Sequence, residues 1–146
     1  MYAERLPPHD LNAEESVVGS ILIDADALST VTSFLKAEDF FGERNRMCFN
    51  ACEALVEQGA AINQITVAHE LSLNDQLENV GGPGYLSHLV MVVPTSAHIE
   101  HYARIVQRTS TMRQLIDVGG RIAGIGFDGG ADSDVALSKA EELLSD

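Results

Sequence analysis

Tryptophan is absent from the 146 residues, aromatic side chains make up only 5%, and there are two cysteines and four prolines. So few cysteines exclude a disulfide scaffold. Positive charge is scarcest: nine Lys and Arg stand against 22 Asp and Glu, a net charge of −13, and the only lysines are Lys36 and Lys139. Affinity for nucleic acid rests mainly on cationic contacts to phosphate, so direct DNA or RNA binding by this chain is disfavoured. Anionic membrane surfaces are disfavoured for the same reason. No apolar run approaches the roughly 18 residues of a membrane span. The opening MYAERLPPHD has neither the charged nor the apolar region of a signal peptide, so a reducing cytoplasm is the expected compartment.

What is present is an ordinary apolar fraction, 45%, in a chain long enough to bury about two-thirds of its unfolded surface. Period-two alternation persists nowhere, which points to an all-α fold of six to eight helices. Pro7-Pro8 sets an extended N-terminal arm, and Asn12, with Glu15 three residues on, reads as a helix cap. The helix that follows carries Val17, Val18, Ile21 and Leu22 on one face. Asp24 or Asp26 is expected to cap a second helix through Leu35. A third runs from about Arg44 to Gln58, where Gly59 stops it. Thr66 reads as the cap of a short helix ending near Leu73, and Gly81-Gly82-Pro83-Gly84 opens another with Tyr85, Leu86 and Leu89. Pro94 interrupts. A long helix then runs from Thr95 or Ser96 to about Phe127, and a closing helix covers Val135 to Leu144. The expected division is at Val93-Pro94: residues 1–93 form a compact helical head with its arm, and residues 94–146 a hairpin of one long and one short helix.

The long helix changes its apolar side partway. Ile99, Tyr102, Ala103 and Val106 share one face of its first half; Met112, Leu115, Val118, Gly119, Ile122 and Ile125 lie roughly opposite in the second. The switch falls at Thr109-Ser110-Thr111. A helix patterned this way packs first on one body and then on another. The head accounts for the first stripe. The closing helix, through Val135, Leu137, Ala140, Leu143 and Leu144, covers part of the second, and a second copy of the chain or a partner is expected to complete it. The alternative is that the head folds back over the whole stripe.

Several strings invite a chemical reading. Gly124-x-Gly126-x-x-Gly129 spells a dinucleotide fingerprint, but it straddles a helix end and a turn instead of joining a strand to a helix. Small residues at Gly119-Gly120 and Gly124-x-Gly126 fit close helix packing better. No GxxxxGK[ST] string occurs. Cys48 and Cys52, four apart on one helix, read as core residues, since two thiolates without two further ligands make no zinc site. His98 and His101 stand about one turn apart without a third ligand and read as a solvated helix start. No catalytic residue, cofactor site or metal site is expected.

The surviving candidates are surface and interface residues. Read together, Pro7-Pro8-His9-x-x-x-Ala13-Glu14-x-Ser16-Val17-x-Gly19, Glu38-Asp39-Phe40-Phe41, Ile65-Thr66-Val67-x-x-x-Leu71, Gln76-Leu77-Glu78-x-Val80-Gly81-Gly82-x-x-Tyr85-Leu86 and Pro94-Thr95-x-Ala97-x-Ile99-x-x-Tyr102-Ala103-x-Ile105-Val106 resemble the N-terminal domain of the bacterial DnaB-type replicative helicases. The resemblance covers about Leu6 to Leu144. Two positions depart from it, Asn45 where the family usually carries His and Asn63 where it carries Asp.

The resemblance implies a helical head and hairpin, hairpins that pair domains into dimers, and three dimers forming a collar on a hexameric ring that receives a DnaG-type primase. It assigns ATP- and Mg-dependent unwinding to a C-terminal ATPase domain that this chain lacks. By that analogy Asn12, Tyr85, Ile116 and Ile122 are the candidates for meeting primase or a neighbouring copy, and Leu115, Val118, Ile125, Val135 and Leu143 for hairpin and dimer packing. A stand-alone helical dimeric adaptor for an unrelated partner is the alternative, and a metal-assisted enzyme using His98 and His101 ranks well behind.

Overall fold

Asp10, not Asn12, opens the first helix: its side chain accepts the Ala13 backbone N–H at 3.0 Å. The computed structural model describes residues 6–130 and 132–145, so residues 1–5 of the expected arm lie outside the described residues. Six α-helices follow in order: α1 (Leu11–Ile23), α2 (Glu43–Glu57), α3 (Gln64–Leu73), α4 (Gly82–Val92), α5 (Ile99–Asp128) and α6 (Ser133–Ser145). No strand occurs among the described residues, as the missing alternation implies. The expected helix from Asp24 to Leu35 is instead a 3₁₀ turn over Ala25–Thr30, capped by Asp24, followed by irregular backbone. A second 3₁₀ turn spans Ala37–Asp39.

Side-chain caps fix some of the starts. Asn63, not Thr66, caps α3: its side chain accepts the N–H groups of Ile65 and Thr66, and Thr66 Oγ1 accepts the Asn63 N–H, a reciprocal capping box. Gly81 enters α4 with φ +105°, a backbone region that favours glycine, and Pro83 follows in the first turn.

Contacts divide the chain into two units, His9–Ser110 and a smaller one made of the chain before His9 and after Ser110. This differs from the division expected at Val93-Pro94. Val93 is buried, and α5 contributes Ile99, Ala103, Val106 and Ser110 to the interior of the larger unit before leaving it. The cause is the first apolar stripe, whose spacing of four, three and four residues keeps one face of the helix on that core.

The core of the larger unit is built on Val17, Val18, Ile21, Leu35, Phe40, Phe49, Leu71, Leu86 and Leu89, all fully buried. Phe40 and Phe49 meet with ring centroids 4.9 Å apart. Helix α1 packs on α4 and α2, and α3 bridges α2 and α4. The α1–α4 crossing is close because Gly19 has no side chain: a Cβ there would stand 2.3 Å from the Leu89 carbonyl oxygen. The junction where α5 leaves the core is tied by Asp39, which accepts Ser110 Oγ–H at 2.8 Å on one oxygen and the Lys36 N–H at 2.8 Å on the other. The Arg104 guanidinium lies 3.6 Å above the Phe34 ring centroid.

In the smaller unit, Arg113 Nη1 donates to the Pro8 carbonyl at 2.8 Å. The turn before α6 is capped by Asp132, whose side chain accepts the Asp134 N–H at 2.9 Å. None of the described residues of α6 is buried.

Two predictions follow from this packing. Gly19→Ala forces backbone apart at a helix crossing and should lower stability by about 1–3 kcal/mol in urea unfolding. A gain, as alanine gives in an open helix, would contradict the close approach. Cys48 and Cys52 are buried, and burial pushes the Cys48 thiol from 9.0 to about 12 and Cys52 higher still. Both are expected to resist thiol reagents at neutral pH until the chain unfolds. The folded-state values lie above the unfolded ones, so the thiols' contribution to stability should be level below pH 9.0 and fall as pH climbs toward about 12.

Candidate functional site

Glu14 lies on the apolar face of α1, in step with Val17, Val18 and Ile21, and is fully buried. Its carboxylate accepts the backbone N–H groups of Phe41 at 2.7 Å and Gly42 at 2.9 Å, and the Asn45 side-chain amide at 3.2 Å. Asn45 Oδ1 in turn accepts the Tyr85 hydroxyl. The Arg44 guanidinium stacks on the other side of this group, 4.1 Å from the Tyr85 ring centroid. Burial, and after it the Glu15 charge, pushes the Tyr85 hydroxyl well above the ordinary phenol range, which keeps it a donor. This chain of bonds ties α1, α2 and α4 at one point. Asn45, a departure from the family pattern, is thus fully engaged.

Tyr85, a candidate for meeting primase or a neighbouring copy, has its side chain turned into the larger unit. It is 7% exposed, and its hydroxyl is used inside the larger unit. Asn12 is exposed on the first turn of α1, where its carbonyl accepts Ser16 Oγ–H at 2.8 Å.

The remaining candidates belong to the smaller unit, and here the apolar surface stays open. Leu115 is 56% exposed, Ile116 59% and Val135 50%. Val118, Ile122, Ile125 and Leu143 are half-buried. Ile125 and Val135 come together in a hollow of about 300 Å³ at the crook of the hairpin, beside Lys139. Ile116 lines a larger groove of about 910 Å³ with Leu6, Pro7, Pro8 and the Gly119-Gly120 pair. A Cβ at Gly119, Gly120, Gly124 or Gly126 would meet nothing within 4 Å, so their small size serves no packing among the described residues.

Sequence reasoning missed two features. The Glu14 node was readable from an acid placed in register with three apolar residues, a position that demands a partner. The seat of the Pro7-Pro8 arm beside Ile116 had no such signal, because it joins segments more than a hundred positions apart. Chemically, the site offers apolar surface and few polar groups. Among the described residues no three His, Cys, Asp or Glu side chains converge as a metal site, and no helix is long and apolar enough to cross a membrane.

Residues 6–108 match the model of the DnaB-like helicase N terminal domain. The chain is 36% identical over 144 residues to the replicative DNA helicase DnaB of Geobacillus stearothermophilus, covering 99% of this chain and 32% of that protein. It is also 36% identical over 141 residues to the replicative DNA helicase DnaC of Bacillus subtilis, covering 97% and 31%. The chain thus spans about a third of the length of these relatives. Its fold matches the crystal structure of the N-terminal domain of DnaB helicase from Mycobacterium tuberculosis with a TM-score of 0.91 and 34% identity, covering 96% of this chain and 99% of that one. The N-terminal domain of DnaB helicase from Helicobacter pylori, described with its interactions with primase, shares the fold at a TM-score of 0.69 and 21% identity over 80% of this chain and 90% of that one.

Tyr85→Phe separates a structural from a partner-facing role. Removing the hydroxyl leaves the buried Asn45 carbonyl without its donor and should cost about 1–3 kcal/mol of stability. Self-association, measured at temperatures where both proteins are folded, should not change; loss of association at full stability would return Tyr85 to the interface.

Proposed function

The chain belongs to the DnaB-like helicase N-terminal domain family, and from that premise we propose that it is the assembly and recruitment domain of a replicative DNA helicase. In this reading the hairpin of α5 and α6 pairs with that of a second copy, three such pairs form the collar of a hexamer, and the collar receives a DnaG-type primase. ATP- and Mg-dependent unwinding belongs to a C-terminal ATPase domain of the whole protein, and this domain performs no catalysis of its own. Its task in replication places it in the cytoplasm.

One observation carries the proposal: the second stripe of α5 and the apolar face of α6 are only partly covered within the described residues. Leu115, Ile116, Val135, Leu137 and Leu144 are all at least half exposed. A 13-residue helix such as α6, with no buried residue, lacks the tertiary packing that stabilises helices of this length in water. An exposed apolar surface of this kind marks an association site. The charge of −13 supports a domain that touches proteins more than DNA. Of the candidate residues, Asn12, Ile116 and Ile122 are the partner-facing ones, and Leu115, Val118, Ile125, Val135 and Leu143 close the hairpin and its pairing.

Sedimentation equilibrium should find a reversible dimer near twice 15.7 kDa. Ile122→Arg places a charge in that surface and should weaken self-association or primase binding by about 2 kcal/mol or more, with helicity unchanged by circular dichroism. A variant that matches the unaltered chain in both assays refutes the assignment.

A further inference from the structure

A second surface lies in the larger unit and does not depend on the hairpin. The 3₁₀ turn Ala25–Thr30 and the end of α2, with the loop beyond it, wall a groove of about 560 Å³. Its floor is apolar, with Leu28 and Ile62 buried beneath and Val56 left 54% exposed. Asp26, Glu53 and Glu57 stand along it, and none of its described lining residues is Lys or Arg. None of the three carboxylates forms an ion pair among the described residues. Burial raises the Glu53 carboxyl above its ordinary value, Lys36 outside the groove opposes the rise, and Glu57 beside it adds to it.

We infer that this groove docks a cationic segment of a partner protein, with one apolar side chain on Val56 and flanking Lys or Arg side chains meeting Asp26, Glu53 and Glu57. The volume lies within the range of roughly 300–1,000 Å³ typical of ligand pockets, which suits an anchor side chain rather than a whole helix. Charge decides the occupant. A second copy brings a net charge of −13 and nine basic residues in all, so self-docking sets like charge against like. Nucleic acid would set phosphate against carboxylate. A basic segment meets complementary charge at the rim and buries the exposed Val56 side chain on the floor.

The test is a titration of the isotope-labelled chain, followed by amide chemical shifts, with a short synthetic peptide carrying one leucine flanked by lysines, at physiological salt. A matched peptide with glutamates in place of lysines and a single-stranded oligonucleotide serve as controls. Shifts should concentrate on residues 25–32 and 53–62 for the lysine peptide alone. The pair Glu53→Gln and Glu57→Gln should weaken binding about tenfold, Val56→Ser should weaken it by a similar factor, and Ile122→Arg should leave it unchanged. Circular dichroism verifies that each variant is folded, as expected for side chains this accessible. Shifts spread over the acidic surface overturn the inference. So does weakening by the glutamine pair without weakening by Val56→Ser, which is bulk ionic attraction, or equal binding of either control. Because Ile122→Arg reports on the hairpin alone, failure of the groove and failure of the hairpin reading are separately visible.

Discussion

A carboxylate taken fully out of water costs several kcal/mol unless its oxygens are bonded. Glu14 meets that condition by accepting two backbone N–H groups and the Asn45 amide, and this requirement organises the larger unit. The two N–H groups belong to Phe41 and Gly42, at the corner where irregular backbone becomes α2. Holding both on one carboxylate sets where α2 begins and aims Asn45 inward. Asn45 then reaches Tyr85 on α4, and Arg44, one residue earlier, covers the Tyr85 ring. Charge, amide and phenol are each satisfied only when α1, α2 and α4 are all in place, so the polar chain specifies the arrangement that the surrounding aliphatic core stabilises.

Helix α5 carries the consequence outward. Its first turns are held by that core, through Ile99, Ala103 and Val106, and by the hydrogen bond from Ser110 to Asp39. Beyond Ser110 the buried face ends. The apolar residues continue but shift around the helix, and a Cβ at any of the glycines 119, 120, 124 and 126 would stand in open space. The two halves of one helix therefore serve different bodies: the first is a structural member of the larger unit, and the second is surface.

Much of this was legible. The absence of alternation gave the fold class, and the change of stripe at Thr109-Ser110-Thr111 falls where contacts divide the chain, whereas the expected division at Val93-Pro94 lies within the larger unit. The errors were local. Asn12 and Thr66 were read as caps because each could serve, yet Asp10 and Asn63 lie close upstream, and which residue caps depends on backbone angles that spacing does not reveal. The segment after Asp24 has helical spacing but closes as a 3₁₀ turn, since a few residues must turn the chain toward Phe40. Tyr85, an interface candidate from its place after the glycine turn and from the resemblance, is buried with its hydroxyl on Asn45 forty residues away, a pairing without a local signature.

The hairpin also explains why a glycine-rich helix is tolerable at all. Each glycine in a helix interior costs up to about 1 kcal/mol relative to alanine, and four fall between positions 119 and 126. In the same unit α6 buries nothing. The glycine stretch of α5 recovers little of that deficit from contacts among the described residues, whereas on the proposed reading a partner surface would supply burial and could approach the bare backbone at the glycines closely. On that reading, formation of α6 and association are then linked, because a partner that binds only the formed hairpin draws its equilibrium toward that form. The larger unit has its own core and its own polar chain and needs no such help. Assembly would thereby be confined to one end of the chain, leaving the acidic head free to meet other partners.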